Sequence, residues 1–355
     1  MPRPGSTGRF GPSRVAGIDI ARGLAVLGMF SAHALPRADD AELLVDGRSS
    51  ILFAILAGIS LGIMTGGQRP SEPGGRADRV LGIVWRSIVL LMLGLLLSTA
   101  PSGVLVILDY YGIMFLLMVP LLFFPRWVLA LLALILAVAA PAMAEAAEES
   151  TGLTLPLPDV LDGYLLTGSY PALVWLPFLL AGLIAARSDL GRLATQGWMT
   201  GGGALAAVAG YGAASVLPGV TAEAHSGSTA EIVGTGGFAV AIVGVLLFLT
   251  SPERTGFGEV VRLVLWPIGA IGSMALTVYT LQILALAVFV QLKDDGGEVI
   301  QYPGWPLLIG MTISCLLFAC CWRWFLGKGP LERMLGLVNR RHPPGERGAH
   351  DHSPA

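Results

Sequence analysis

The stretch Gly17-Ile18-Asp19-Ile20-Ala21-Arg22-Gly23-Leu24-Ala25, running on to Ser31-Ala32-His33-Ala34, decides how the chain is read. It is apolar and long enough to cross a bilayer as a helix, yet it carries a carboxylate, a guanidinium and an imidazole. Hydrocarbon makes such groups costly, so they are read first as working residues. Arg22 and His33 stand eleven positions apart. At about 100° per residue a helix returns to within about 20° of its starting phase over that interval, so both side chains project from one face, about 16 Å apart along the axis. That is half of a hydrocarbon core about 30 Å thick. A cationic anchor and a titratable base on one stripe of a channel suit a reaction in which a donor held on one side serves an acceptor on the other.

Outward from this segment the chain repeats the apolar theme. Over 355 residues it is 54% hydrophobic and 13% charged, with mean hydropathy +0.72, whereas an ordinary soluble domain is about 25% charged. The fold class expected is all-α, a polytopic membrane protein. Spans are expected at about 15–35, 50–67, 80–99, 103–124, 127–144, 169–187, 199–217, 232–250, 263–290 and 304–325. Ten helices put both termini on one side of the bilayer.

Arginine and lysine in short loops decide which side that is. The N-terminus (Arg3, Arg9, Arg14), the even loops (Arg69, Arg76, Arg79; Arg126; Arg187, Arg192; Arg254, Arg262) and the tail (Lys328, Arg333, Arg340, Arg341, Arg347) are basic. The odd loops hold only Arg37, Arg48 and Lys293, and are rich in acids such as Asp39, Asp40, Glu42, Asp46, Glu145, Glu148, Glu149, Asp159, Asp162 and Glu231. Both termini are therefore expected in the cytoplasm. A basic N-terminus, an apolar run and Ala32-His33-Ala34 imitate a cleaved signal, but Asp19 and Arg22 inside the run argue against cleavage. The expected organisation is an unstructured N-terminus (1–14), a transmembrane domain (15–325) and a cytoplasmic tail (326–355), unstructured from about 341.

A net charge of -2 and a pI near 6.2 say little about partners, and nucleic acid is not expected. Cys315, Cys320 and Cys321 all fall in the last segment and read as small apolar residues. Only Lys293 and Lys328 are lysines among 22 basic residues, a bias that points to a GC-rich bacterial genome and hence to a bacterial plasma membrane. The acidic external loop 145–168 reads either as a lid or rim or as a solvated connection. Gly58, Gly62 and Gly66 recur at four-residue spacing, which lets another helix approach closely.

Several residues have the chemistry of a site. Asp19 and Arg22, one turn apart, can pair and lower each other's cost of insertion. The guanidinium also suits phosphates of a cytosolic donor, with Gly23 and Gly28 leaving room beside it. His33 has the profile of a general base, since histidine titrates near neutral pH. Asp109 near the outer end of the fourth segment either orients His33, binds an acceptor hydroxyl, or is a surface carboxylate beside Tyr110 and Tyr111. His225, in His225-Ser226-Gly227-Ser228-Thr229, serves either to cap the eighth segment or to bind acceptor. Ser273, Thr277, Tyr279 and Gln282 form a polar stripe that glues helices or lines a cavity. Arg48 either pairs with the acidic first loop or holds an acceptor. His342, His350 and His352 lie in the tail and are given no role. No metal-ligand spacing, phosphate loop, dinucleotide fingerprint or nucleophile elbow is found, and no metal is expected.

The first segment, with ten residues between Arg22 and His33, resembles the transmembrane acyltransferases; acyltransferase family three shows that arginine, gap and histidine. Over roughly residues 15 to 335 the chain is similar to the bacterial branch adjoining the heparan-alpha-glucosaminide N-acetyltransferases. This likeness is carried by Gly47-Arg48-Ser49-Ser50-Ile51-Leu52-Phe53 with Ala57-Gly58, Tyr111-Gly112, Tyr170-Pro171-Ala172-Leu173 with Trp175, Gly272-Ser273-Met274-Ala275-Leu276-Thr277-Val278-Tyr279, and Gly329-Pro330-Leu331-Glu332. The lysosomal enzymes place their histidine farther along, after an asparagine and a glycine-rich stretch, where this chain has Ser31-Ala32-His33.

The resemblance implies transfer of an acyl group, expected to be acetyl, from cytosolic acyl-CoA to a glycan, lipid or other acceptor at the outer face. It implies that Arg22 holds the coenzyme and that His33 is the catalytic residue, as general base or transient acyl carrier; beside that analogy, Asp19 is expected to join Arg22 at the coenzyme and Asp109 to join His33. Arg48, Tyr111, His225, Ser273 and Tyr279 are the expected acceptor-binding residues. The partners implied are the donor, the acceptor and the bilayer, with self-association into a homodimer left open. Two other classes are weighed: a transporter or flippase of a small amphiphile, whose mark is inverted repeats and broken helices, and a noncatalytic membrane partner. No internal repeat is evident.

Overall fold

The computed structural model describes residues 15–36, 42–149, 159–254, 256–293 and 302–337. The basic N-terminus, Arg37, Asp39, Asp40 and the three tail histidines lie outside them. Among the described residues the chain is all-helical, with no strand. In order the helices are α1 (Ala16–Ala34), α2 (Arg48–Met64), α3 (Pro73–Ser98), α4 (Leu108–Met118), α5 (Arg126–Glu149) and α6 (Asp159–Asp162), which runs into a π-helical turn at Gly163–Thr167. Then follow α7 (Ala172–Ala186), α8 (Leu193–Val216), α9 (Thr229–Leu249), α10 (Phe257–Val264), α11 (Trp266–Ser273), α12 (Ala275–Leu292), α13 (Trp305–Phe325) and α14 (Pro330–Leu335). Helices are what such a sequence must form in lipid, where each backbone N–H and C=O has to be satisfied within its own segment.

By length and composition α3, α5, α9, α12 and α13 can each cross a membrane, and a sixth span arises if the segment Val160–Thr167 and α7, bent by 52°, count as one. Exposed apolar side chains mark the outer layer: Leu131, Leu134 and Val138 on α5, Leu205 and Val208 on α8, Ile313 and Leu317 on α13. Inside them α1, α2, α7 and α9 are buried along most of their lengths.

The inner helices touch backbone to backbone. A methyl group added to Gly58 would lie 2.0 Å from the Leu179 carbonyl oxygen, and one added to Gly182 would lie 2.0 Å from that of Ile55. At the crossing of α1 and α11, a Cβ on Gly23 would meet Ile268 O at 2.0 Å and one on Gly272 would meet Asp19 O at 1.8 Å. This corrects two expectations. Gly23 and Gly28 leave no room for a ligand: α11 fills the first, and Ser49 lies 2.8 Å from a Cβ on the second. Of the three spaced glycines only Gly58 and Gly62 pack against α7; Gly66 forms the following turn at φ +109.

The ninth apolar segment is also not one helix. The backbone breaks at Met274 (φ -135, ψ 39), separating α11 from α12. The break exposes the first amides of α12, and Glu332 of α14 answers them: Thr277 donates to its carboxylate through N at 3.1 Å and through Oγ1 at 2.7 Å. The start of the tail is thus a folded part of the bundle, held also by Trp85 Nε1 donating to Met334 O. Arg187, expected as a loop cation, is instead buried. It donates to Gly62 O, Gly67 O, Thr65 Oγ1 and Leu122 O, tying the carbonyl end of α2 and that of the 3-10 turn Val119–Leu121, which follows α4, to α7.

Candidate functional site: two cavities back to back

Two cavities of about 620 Å³ each meet inside the bundle. The first is lined by Asp19 and Arg22 of α1, Ser60 of α2, Arg86 of α3, Tyr111 of α4, and Gly272, Ser273 and Tyr279 of α11 and α12, with Lys328 and Glu332 from the start of the tail. Arg22 bridges three elements there. Nη1 donates to Asp19 Oδ1 at 3.2 Å and to Gly272 O at 3.3 Å, and Nη2 donates to Ser60 Oγ at 3.0 Å. The carbonyl at the end of α11 carries the negative end of that helix's dipole, so the break in the ninth segment supplies part of the guanidinium's counter-charge. Tyr111 and Ser273 are buried in the same wall; Tyr111 Oη donates to Ser50 O at 3.3 Å and Ser273 Oγ to Ala270 O at 2.8 Å.

The second cavity is lined by His33 and Pro36 at the other end of α1, Asp46, Ser49 and Ser50, Tyr170, His225, Tyr279 and Tyr302. The Gln282 amide, 1% exposed, fixes the ring of His33, with Nε2 2.8 Å from Nδ1. Gln282 Oε1 is buried without a hydrogen-bond partner. Turning that amide over sets Oε1 against an Nδ1–H and leaves His33 Nε2 as the bare nitrogen, so the amide orientation selects the tautomer.

The two cavities share Met29, Ile107 and Tyr279, each at most 5% exposed. Arg22, Met29 and His33 do form one stripe along α1. The expected continuous channel is nevertheless divided, because Met29 lies on that stripe and α4 and α12 bring Ile107 and Tyr279 against it.

The remaining expected site residues separate by location. His225, at φ 62, stacks on Trp175 and meets Tyr170 edge-on, and its ring faces the second cavity. Its turn does cap α9, but through neighbours: Ser228 Oγ accepts from Glu231 N, and the Glu231 carboxylate accepts from His225 N and Gly227 N. Asp109 lines neither cavity. Its Oδ2 accepts from Tyr164 Oη at 2.8 Å, which ties the described end of loop 145–168 to α4, while its buried Oδ1 has no hydrogen-bond partner. Arg48 turns to α8, its Nε donating to Tyr211 Oη at 3.0 Å with the guanidinium over the ring, while Nη1 donates to the Leu44 carbonyl of the acidic first loop at 3.3 Å.

One contributor was not singled out from sequence, and two others were named there without the roles they take. Arg86 lies inside an apolar segment and escapes a count of loop charges; an ionisable group in such a segment was the available signal. The roles of Gln282 and Glu332 depend on pairings across about 250 and 55 positions, which spacing does not encode. Among the described residues, no group of three or more His, Cys, Asp or Glu is placed to hold a metal ion.

Two family profiles match the chain. The one described as Heparan-alpha-glucosaminide N-acetyltransferase, catalytic, covers residues 14–217, which takes in α1 through α8. The one described as Protein of unknown function (DUF418) covers residues 186–338, from the end of α7 through α14. No curated protein matches the chain.

Proposed function

Because the chain belongs to the family of heparan-alpha-glucosaminide N-acetyltransferase catalytic domains, we propose that it moves an acetyl group from cytosolic acetyl-CoA to an amine or hydroxyl of an envelope glycan, lipid or other acceptor. In this reading residues 15–325 form a ten-span domain in a bacterial plasma membrane with both termini in the cytoplasm, the arrangement that the basic even loops favour. The Arg22 cavity then opens inward to the donor and the His33 cavity outward to the acceptor. One observation carries the proposal: the two cavities abut at Met29, Ile107 and Tyr279, so a thioester reaching the wall from one side lies close to a base on the other.

With the Gln282 amide turned so that Oε1 accepts from Nδ1–H, His33 Nε2 takes the proton from the acceptor nitrogen or oxygen as that atom attacks the thioester carbonyl. The tetrahedral oxyanion then collapses, the carbon–sulfur bond breaks, and the coenzyme thiolate leaves; water protonates it, and the His33 imidazolium returns its proton to solvent, neutralising the hydroxide so formed. Gln282 holds the ring through Nδ1 while this occurs. Arg22, with Asp19, Tyr111 and Ser273, shapes the donor side; His225 and Tyr279 meet the acceptor. Asp109 acts at a distance, by anchoring Tyr164 beside α4, and Arg48 by holding α2 to α8.

Purified protein in liposomes is expected to transfer labelled acetyl from acetyl-CoA to a terminal glucosamine. His33→Ala should lower that rate by about 10² to 10⁴-fold with an unchanged melting temperature. Transfer that survives in this variant removes His33 from the mechanism. A second reading, carriage of a small amphiphile, draws support from the break between α11 and α12, a feature of transporter binding sites. Transfer of acetyl without movement of the intact acceptor across the bilayer decides against it.

A further inference from the structure

Among the described residues Arg86, like the exposed Lys328, is a cation of the Arg22 cavity without a counter-charge. It lies midway along α3, and its Nε is buried with no hydrogen-bond partner. Among the described residues no carboxylate lies within 4.0 Å of it. The acids around the cavity are engaged elsewhere: Asp19 by Arg22, Glu332 by Thr277, and Asp189 by the Gly191 amide at 3.1 Å. Arg22, by contrast, already spends Nη1 and Nη2 on Asp19, Gly272 and Ser60. A charge set among apolar side chains is costly unless an opposite charge meets it.

We infer that Arg86, not Arg22, is the anchor for an anionic phosphate group of the molecule bound in this cavity. A guanidinium offers a planar fork that grips two phosphate oxygens at once. The apolar wall around it, including Met64, Leu90 and Phe115, fits a ligand that joins its phosphate to a long, weakly polar arm. The inference rests on the acetyltransferase reading to the extent that the phosphate belongs to the donor's nucleotide end. A lipid headgroup has the same chemistry, and the test separates the two.

The full chain in detergent is titrated with coenzyme A, with pantetheine, which keeps the thiol arm and lacks the phosphates, with inorganic pyrophosphate, and with dioctanoyl phosphatidylglycerol. Affinity is read by calorimetry and melting temperature by intrinsic fluorescence. Arg86→Leu is expected to weaken coenzyme A and pyrophosphate at least tenfold, to leave pantetheine unchanged, and to melt no lower than wild type without ligand, because it removes an unpaired charge. Arg86→Lys should recover part of the affinity. Wild-type coenzyme A and pyrophosphate affinity in Arg86→Leu, equal weakening of pantetheine, or a lower melting temperature without ligand overturns the assignment. Arg86-dependent binding of the phospholipid and not of coenzyme A overturns the assignment to the donor. Failure of acetyl transfer alone leaves the pyrophosphate result standing, so the two readings fail separately.

Discussion

The two cavities have the same volume, about 620 Å³, and are built in opposite ways. The Arg22 cavity lies between helices, and its polar groups include the cations Arg22, Arg86 and Lys328, the acids Asp19, Asp189 and Glu332, which are bonded to neighbours, and the ends of a broken helix. The His33 cavity lies where helices give way to turns, and it gathers Tyr170, His225 and Tyr302 around an imidazole. The first suits a long anionic molecule entering along helix faces; the second suits a hydroxylated or amine-bearing one met by rings and short polar side chains. Helix α1 supplies the key residue of each and, with Met29, part of the wall between. One helix therefore serves two compartments, and reaction requires that wall to give way.

The comparison breaks most completely if the crossing of α1 and α11 is lost. Gly272→Val places side-chain carbon against the Asp19 carbonyl oxygen, which belongs to a packed backbone. Destabilisation should exceed the about 1–3 kcal/mol usual for an overpacked core, seen as loss of the folded species in fluorescence-detected size exclusion. Met29→Ala tests the wall itself. It should cost about 2–5 kcal/mol of stability and join the cavities, so that water reaches the thioester; acetyl-CoA hydrolysis without acceptor is expected to rise, as followed by thiol release. A wall that plays no part in keeping donor from water leaves hydrolysis unchanged. The smallest effect isolates the His33 side. Gln282→Leu removes the group at Nδ1 and should slow transfer about tenfold, equivalent to about 1.4 kcal/mol, with coenzyme A affinity unaltered in the same preparation. A fall in that affinity would mean that the cavities are not independent.

Local periodicity made much of the fold readable. The expected apolar segments coincide with helices because backbone groups excluded from water must pair within the segment. The ninth departs from a single helix because its break depends on two distant partners, Arg22 at the Gly272 carbonyl and Glu332 at the Thr277 amide. Hydropathy detects neither. Arg48 was read as pairing with the first loop or holding an acceptor, and Asp109 as orienting His33, binding an acceptor hydroxyl or lying at the surface, but a residue's depth in a span says nothing of which neighbour its side chain meets. Tyr211 and Tyr164 decided those directions.

From the amino-acid order alone came the stripe that carries Arg22 and His33, because helix geometry sets which residues of one segment share a face. Tertiary structure decided that the stripe is divided, that Gln282 holds the imidazole, and that Arg86 faces the same space as Arg22. Those outcomes depend on side chains from α3, α4 and α12 converging on α1, and packing between segments far apart in the chain follows from shape and close backbone approach, which no single helical period encodes.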